Sequence, residues 1–153
     1  MKVVSVQQMR DIEAAVDASV MSYDQMMQNA GQAAGHYLLN RLDISNQTRI
    51  TVLIGKGNNG GDGLVIAHYL ASNSPAEIRL YMLETRAESD KNYQSVVNDG
   101  LVIATATDDH DNRVLKNMIN SADIIIDALF GIGIRLPLRD TAAKILRTVN
   151  QLL

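Results

Sequence analysis

The 153-residue sequence contains no cysteine, which excludes disulfides, thiolate catalysis and cysteine-ligated metal. Tryptophan is absent and aromatic residues reach only 4%. Aliphatic side chains and seven methionines must therefore fill the interior, as suits parallel strands packed under helices. A formal charge of −3 leaves no basic surplus, so no nucleic-acid partner is expected. No apolar run approaches a membrane span, and Met1 to Gln7 lacks the apolar core of a signal peptide. The expectation is a soluble, cytoplasmic protein with no membrane partner. Familiar catalytic signatures are missing as well: there is no G-x-S-x-G elbow, and His36, His68 and His110 have no metal-triad spacing.

What is present is one domain's length of chain, 46% hydrophobic, enough for a real core. Its most distinctive stretch is Gly55 to Gly63, GKGNNGGDG, between the β-branched run Ile50 to Ile54 and the helical pattern Leu64 to Leu70. That reads as strand, tight turn, helix. The glycines allow positive φ and close approach of a ligand, while the helix start turns unpaired N–H groups toward the same place. Asn58, Asn59 and Asp62 add side-chain oxygens rather than positive charge, so a polar ligand and a cation can share the site.

Two phosphate motifs compete for this stretch. Gly55-x-Gly57-x-x-Gly60 matches the dinucleotide fingerprint, with Glu84 about where a ribose-binding acid belongs. The P-loop pattern fails because Gly61 and Asp62 stand where Lys and Ser/Thr are needed. In the plainer structural account, the glycines make a tight turn and Asp62 complements the helix dipole.

Ahead of this motif, Ser5-x-x-Gln8 and Ser22-x-x-Gln25 read as capping boxes. The first opens a helix with Met9, Ile12, Ala15 and Val16 on one face. The second runs from about Tyr23 to Leu42, where Gly31 and Gly35 would let another element pack closely. Both helices are expected to lean on the sheet and partly on a second subunit. Beyond Arg49, apolar runs at 50–54, 78–83, 101–104 and 124–129 alternate with helical patterns at about 62–73, 88–99, 110–120 and 140–152. That is α/β, with a mainly parallel sheet and two extra N-terminal helices. The polar run Asp108 to Asn112 is expected to be a loop and helix start without a functional role.

A strand order of 3-2-1-4 would make the strands ending at Ile54 and near Asp127 neighbours, and ligands bind at such switch points. Asn58, Asn59 and Asp62 would then lie beside Asp127 and the turn Gly131 to Pro137. An amide and a carboxylate oxygen from the two loops suit a hard cation. A buried Asp127 would need a cation, a ligand hydroxyl or backbone N–H groups, and capping of its own loop is the bland alternative. Arg135 and Arg139 flank Pro137, where a guanidinium can grip a phosphate or simply be solvated.

The combination of Met9-Arg10-x-x-Glu13, Gln28-Asn29-Ala30-Gly31, GNNGGDGLVIAHYL and IIDALFGIGIRLPL resembles the NAD(P)H-hydrate epimerase family, the YjeF N-terminal domain, over residues 1–153. The resemblance implies a Rossmann-like three-layer fold. It also implies isomerase activity in nicotinamide nucleotide repair, interconverting the R and S forms of NADHX and NADPHX. Asn58, Asn59, Gly60, Gly61 and Asp62 would line the dinucleotide. Gly131, Ile132, Gly133, Ile134, Arg135, Leu136 and Pro137 would cradle its phosphates, and Asn59 and Asp127 would ligate potassium. The implied partners are an NAD(P)H-hydrate dehydratase, fused or separate, and a second copy in a homodimer.

In the family a later D-x-P-S-G segment supplies a catalytic aspartate, and no such segment occurs here. The expectation is thus a fragment or a shortened chain that lacks the last strands, binds the dinucleotide weakly and exchanges its epimers slowly. Two other readings compete with this one. A non-catalytic scaffold of the same fold is disfavoured by the intact NNGGD and Asp127, and a nicotinamide dehydrogenase by the lack of a substrate domain.

Overall fold

The computed structural model describes residues 3–134, 137–138 and 140–152, with the side chain of residue 140 set aside. The elements follow the order α1 (Val6–Ser19), α2 (Tyr23–Arg41), β1 (Arg49–Ile54), α3 (Asn58–Asn73), β2 (Glu77–Met82), α4 (Lys91–Asn98), β3 (Val102–Thr105), a short 3-10 turn (His110–Asn112), α5 (Arg113–Asn120), β4 (Ile124–Ala128) and α6 (Asp140–Leu152). The strands form one parallel sheet in the order β3-β2-β1-β4. This is the strand order that places a switch point between β1 and β4.

Alternation along each strand divides the core into two layers. Ile50, Val52 and Ile54 of β1 meet Leu64, Ala67 and Leu70 of α3 on one face. Leu53 of β1 and Tyr81 of β2 meet Leu115 and Met118 of α5 and Ile145 of α6 on the other. Consecutive residues of β1 are thus buried on both sides, which is why the strand reads as a continuous apolar run. Each fully buried leucine or isoleucine contributes roughly 1.5–3 kcal/mol, and this scaffold fixes where the strand ends can point.

Outside the sheet, α2 lies against α3. A Cβ on Gly31 would sit 2.6 Å from Val65 Cβ, and one on Gly35 would sit 2.5 Å from Tyr69 Cδ1. The two glycines four apart therefore serve α3, the neighbour their spacing asked for. Ser5 and Gln8 form a complete capping box, whereas Ser22 accepts from Gln25 N and Gln25 turns its own side chain to Asn29.

Several expectations need correcting. α1 does not lean on the sheet: none of its residues is buried, and Met9 and Ile12 are 38% and 49% exposed. α3 begins at Asn58 rather than Asp62, so the NNGGD residues are its first turns and not a loop. α4 begins at Lys91, because Asp90 caps it through Asn92 N and Tyr93 N. Asp109, read as part of a polar loop, is buried under α5. It accepts from Val114 N, Leu115 N and the Tyr81 hydroxyl.

Candidate ligand site at the β1/β4 switch point

Glycine is required in the turn after β1 by crowding, not by backbone sign. Positive φ occurs at Gly100 and at no described glycine of the motif. A Cβ on Gly55 would lie 1.8 Å from Leu129 O, and one on Gly60 would lie 1.9 Å from Gly55 O. No real Cβ tolerates such contacts, so only glycine lets the loop after β4, the turn after β1 and the first turn of α3 stack backbone on backbone. Gly55 N donates to Ala128 O at 3.0 Å and continues the β1–β4 pairing into the site.

From this stack the polar groups emerge. Gly57 is the N-cap of α3 and has no side chain to give, so the leading N–H groups of the helix keep their hydrogen-bonding capacity for a ligand. Asn58 is exposed, Asn59 and Asp62 are half-buried, and Gly60 and Gly61 are buried. Asn59 Nδ2 donates to Phe130 O at 3.0 Å, and its Cβ lies 3.2 Å from where a Gly131 Cβ would be. The asparagine-bearing helix start and the loop after β4 are thereby joined across the switch point.

Asp127 pairs in register with Leu53 and projects from the face of Leu53 and Ile125. It is exposed rather than buried. Its Oδ1 accepts from Leu129 N at 2.9 Å, which caps the loop, and no described residue donates to Oδ2. It also borders a cavity of about 450 Å3 shared with Ile125, Leu146 and Asn150. Gly131, Ile132, Gly133 and Ile134 are exposed, with Ile134 N closing a turn onto Gly131 O at 3.2 Å, and Pro137 is exposed too. Arg135, Leu136 and Arg139 lie outside the described residues.

The electrostatics single out Asp62. Burial, and then the nearby Glu13 carboxylate of α1, push its carboxyl above the ordinary value of 3.8, and no described residue hydrogen-bonds it. A half-buried carboxyl whose charged form is disfavoured and which no described residue hydrogen-bonds suits an encounter with ligand hydroxyls. Glu13 thus has a place at the site although α1 is otherwise uncovered.

Sequence reasoning missed Arg86. Its Nη1 donates to Gly55 O at 3.1 Å and to Gly57 O at 3.3 Å, and its Nε pairs with Asp90 Oδ2 at 2.6 Å. A single arginine between Thr85 and Ala87 carries no spacing that would reveal this. Glu84, weighed as a ribose-binding acid, instead pairs with Lys56 Nζ at 2.9 Å on the surface.

A hard cation asks for oxygens. Asn59 Oδ1 has no hydrogen bond from a described residue, and the second oxygen of Asp127 is equally open, so the donor chemistry fits such an ion. Among the described residues, no three His, Cys, Asp or Glu side chains cluster as a metal site. Any cation here would therefore lean on amide and backbone oxygens as well as on Asp127.

Comparison with known proteins places this geometry among relatives. The family described as YjeF-related protein N-terminus matches residues 23–152. The Bifunctional NAD(P)H-hydrate repair enzyme Nnr of Thermofilum pendens is 31% identical over 98% of this chain and 29% of its own length. The NAD(P)H-hydrate epimerase of Elusimicrobium minutum is 31% identical over 98% of this chain and 70% of its own. The crystal structure of yeast ynu0 superposes with a TM-score of 0.80 at 20% identity, covering 99% of this chain and 66% of that one. The Rossmann-like α/β fold is common to both structures, and the chain spans less than a third of the Thermofilum protein.

Proposed function

Because the chain belongs to the YjeF-related protein N-terminus family, we propose that it is an NAD(P)H-hydrate epimerase domain, taking the R and S forms of NADHX and NADPHX at the β1/β4 switch point. The observation that carries this is the Asn59 Nδ2 to Phe130 O bond, which joins the NNGGD helix start to the loop after Asp127. The uncapped helix start offers N–H groups to the diphosphate. Asn58 and Asp62 offer side-chain donors and acceptors to the hydroxyls of the ligand, and the exposed turn Gly131 to Ile134 would meet it from the facing loop. Asn59 and Asp127 would hold a potassium ion, which supplies positive charge beside the phosphates when bound. A dehydratase, fused or separate, would act as functional partner.

Epimerisation at C6 requires the hydroxyl to leave and return, so a proton must pass to and from it. What the described residues contribute to that step is orientation. The helix start and the glycine stack hold the ligand, and the half-buried Asp62 keeps its proton more readily than a free aspartate.

The test is calorimetric titration with NADHX and NADPHX, with chromatographic measurement of R-to-S exchange. Asp127→Ala and Asn59→Ala are each expected to weaken binding about tenfold, a loss of about 1.4 kcal/mol. Equal affinity in both variants would remove the reading. A second reading, a binding module of the same fold without turnover, is favoured by the single structural task Asp127 performs, capping Leu129 N. Binding without any exchange would select it.

A further inference from the structure

We propose that Arg86 is a positioning residue for the dinucleotide, acting by fixing the turn Gly55 to Gly57 on which the helix start rests. The inference rests on the epimerase-domain reading for its ligand, and on geometry alone for its structural half.

The turn has a problem that Arg86 solves. After β1 ends, Gly55 O is pressed against the first turn of α3, so closely that a Cβ on Gly60 would come within 1.9 Å of it. The carbonyl of Gly57 receives the Gly61 N–H at 3.2 Å, the opening bond of the helix. Neither carbonyl has a β2 partner in the sheet, where the pairing register stops at Ile54 and Met82. One nitrogen, Arg86 Nη1, reaches both carbonyls at 3.1 and 3.3 Å and sets their separation.

The guanidinium is itself held. Its Nε meets Asp90 Oδ2 at 2.6 Å, while Asp90 Oδ1 caps α4 through Asn92 N and Tyr93 N at 3.0 and 3.2 Å. The Arg86 side chain is 16% exposed, and its Nη2 lies 3.9 Å from where a Gly61 Cβ would be. It also lines a cavity of about 510 Å3 between the starts of α2 and α4. A planar fork fixed at Nε and Nη1 cannot be copied by lysine, which presents a point charge on a flexible stem.

The consequence is a specific division of labour. Asp90 and Arg86 carry the position of α4 to the turn, and the turn carries it to the N–H groups that meet the diphosphate. Loss of Arg86 should loosen the binding geometry without removing a group that reacts.

The experiment compares the wild-type chain with Arg86→Ala, Arg86→Lys and Asp90→Asn, each checked by thermal denaturation. Without ligand, hydrogen exchange of peptides spanning residues 55–63 is measured. Arg86→Ala should speed exchange there about tenfold while the β1 and β2 peptides stay as in wild type. With NADHX, affinity should fall about tenfold in Arg86→Ala and less in Arg86→Lys. In the R-to-S exchange assay KM should rise while kcat stays within about twofold. Unchanged exchange at 55–63 overturns the positioning role whatever the ligand proves to be. Faster exchange there with unchanged NADHX affinity overturns its link to binding, and a uniform rise across the chain reduces Arg86 to general stability. Failure of the wild-type chain to bind NADHX would instead sink the epimerase-domain reading, a result the ligand-free arm tells apart.

Discussion

Asp62 is costly where it stands. It is half-buried, no described residue hydrogen-bonds it, and first burial and then Glu13 raise its carboxyl above 3.8. The sign of the effect on stability follows. A group whose folded value is raised stabilises the fold below its unfolded value of about 3.8 and loses that contribution as pH rises through the folded value. At neutral pH Asp62 is therefore a burden on the fold. Asp62→Asn keeps the shape and removes the charge, so its melting temperature at pH 7 should exceed that of the wild type. The gain should shrink toward zero as pH falls through about 3.8. Thermal denaturation from pH 3 to pH 8 checks this, and a gain that ignored pH would show that charge is not the cause. The same substitution should weaken NADHX binding, the pattern expected when a site retains a strained group for use. The type and place of Asp62 were visible in the sequence. Its burden was not, because that comes first from burial and then from Glu13 of α1, and both arise only in the folded chain.

The helices show what periodicity can and cannot convey. In α2, Gly31 and Gly35 announced a close neighbour, and α3 is that neighbour. In α1 the same kind of spacing announced an apolar face, yet Met9 and Ile12 on it stay exposed, because a pattern specifies a face and never a partner. The α2–α3 contact can be tested by sign. An unobstructed Gly→Ala change inside a helix gains about 1 kcal/mol from propensity, whereas forcing a methyl into a packed contact costs about 1–3 kcal/mol. Gly31→Ala meets Val65 at its Cβ, 2.6 Å away and fixed to the backbone of α3, so the cost should win. The melting temperature should fall by about 4 °C, using about 2–4 °C per kcal/mol for a chain of this size. Gly35→Ala meets first the half-buried ring of Tyr69, at Cδ1, with its Cβ farther off at 3.4 Å, so it should cost less than Gly31→Ala. If Gly31→Ala were stabilising instead, α2 and α3 would not be in the contact described.

At the level of the whole molecule, the strand order made the candidate site legible before any coordinate. Once β1 and β4 are neighbours, the residues after Ile54 and after Asp127 share one end of the sheet. What the sequence could not convey is how that end is finished. Arg86 reaches the motif from the β2–α4 loop, and Asp127 lies open to solvent instead of buried. An exposed carboxylate needs no ion for its own solvation, so a cation at this site must show itself by linkage. A ligand that binds only the folded state stabilises it by RT ln(1 + [L]/Kd), about 1.4 kcal/mol at ten times its dissociation constant. For a chain of this length that is a rise of about 4 °C in melting temperature. Potassium chloride should give that rise over choline chloride of equal ionic strength, which holds general screening constant, and sodium should give less if the oxygens favour the larger ion. Asp127→Ala and Asn59→Ala should each abolish the difference between the salts. If potassium and choline melt the wild-type chain at the same temperature, the two loops meet at the switch point for the dinucleotide alone.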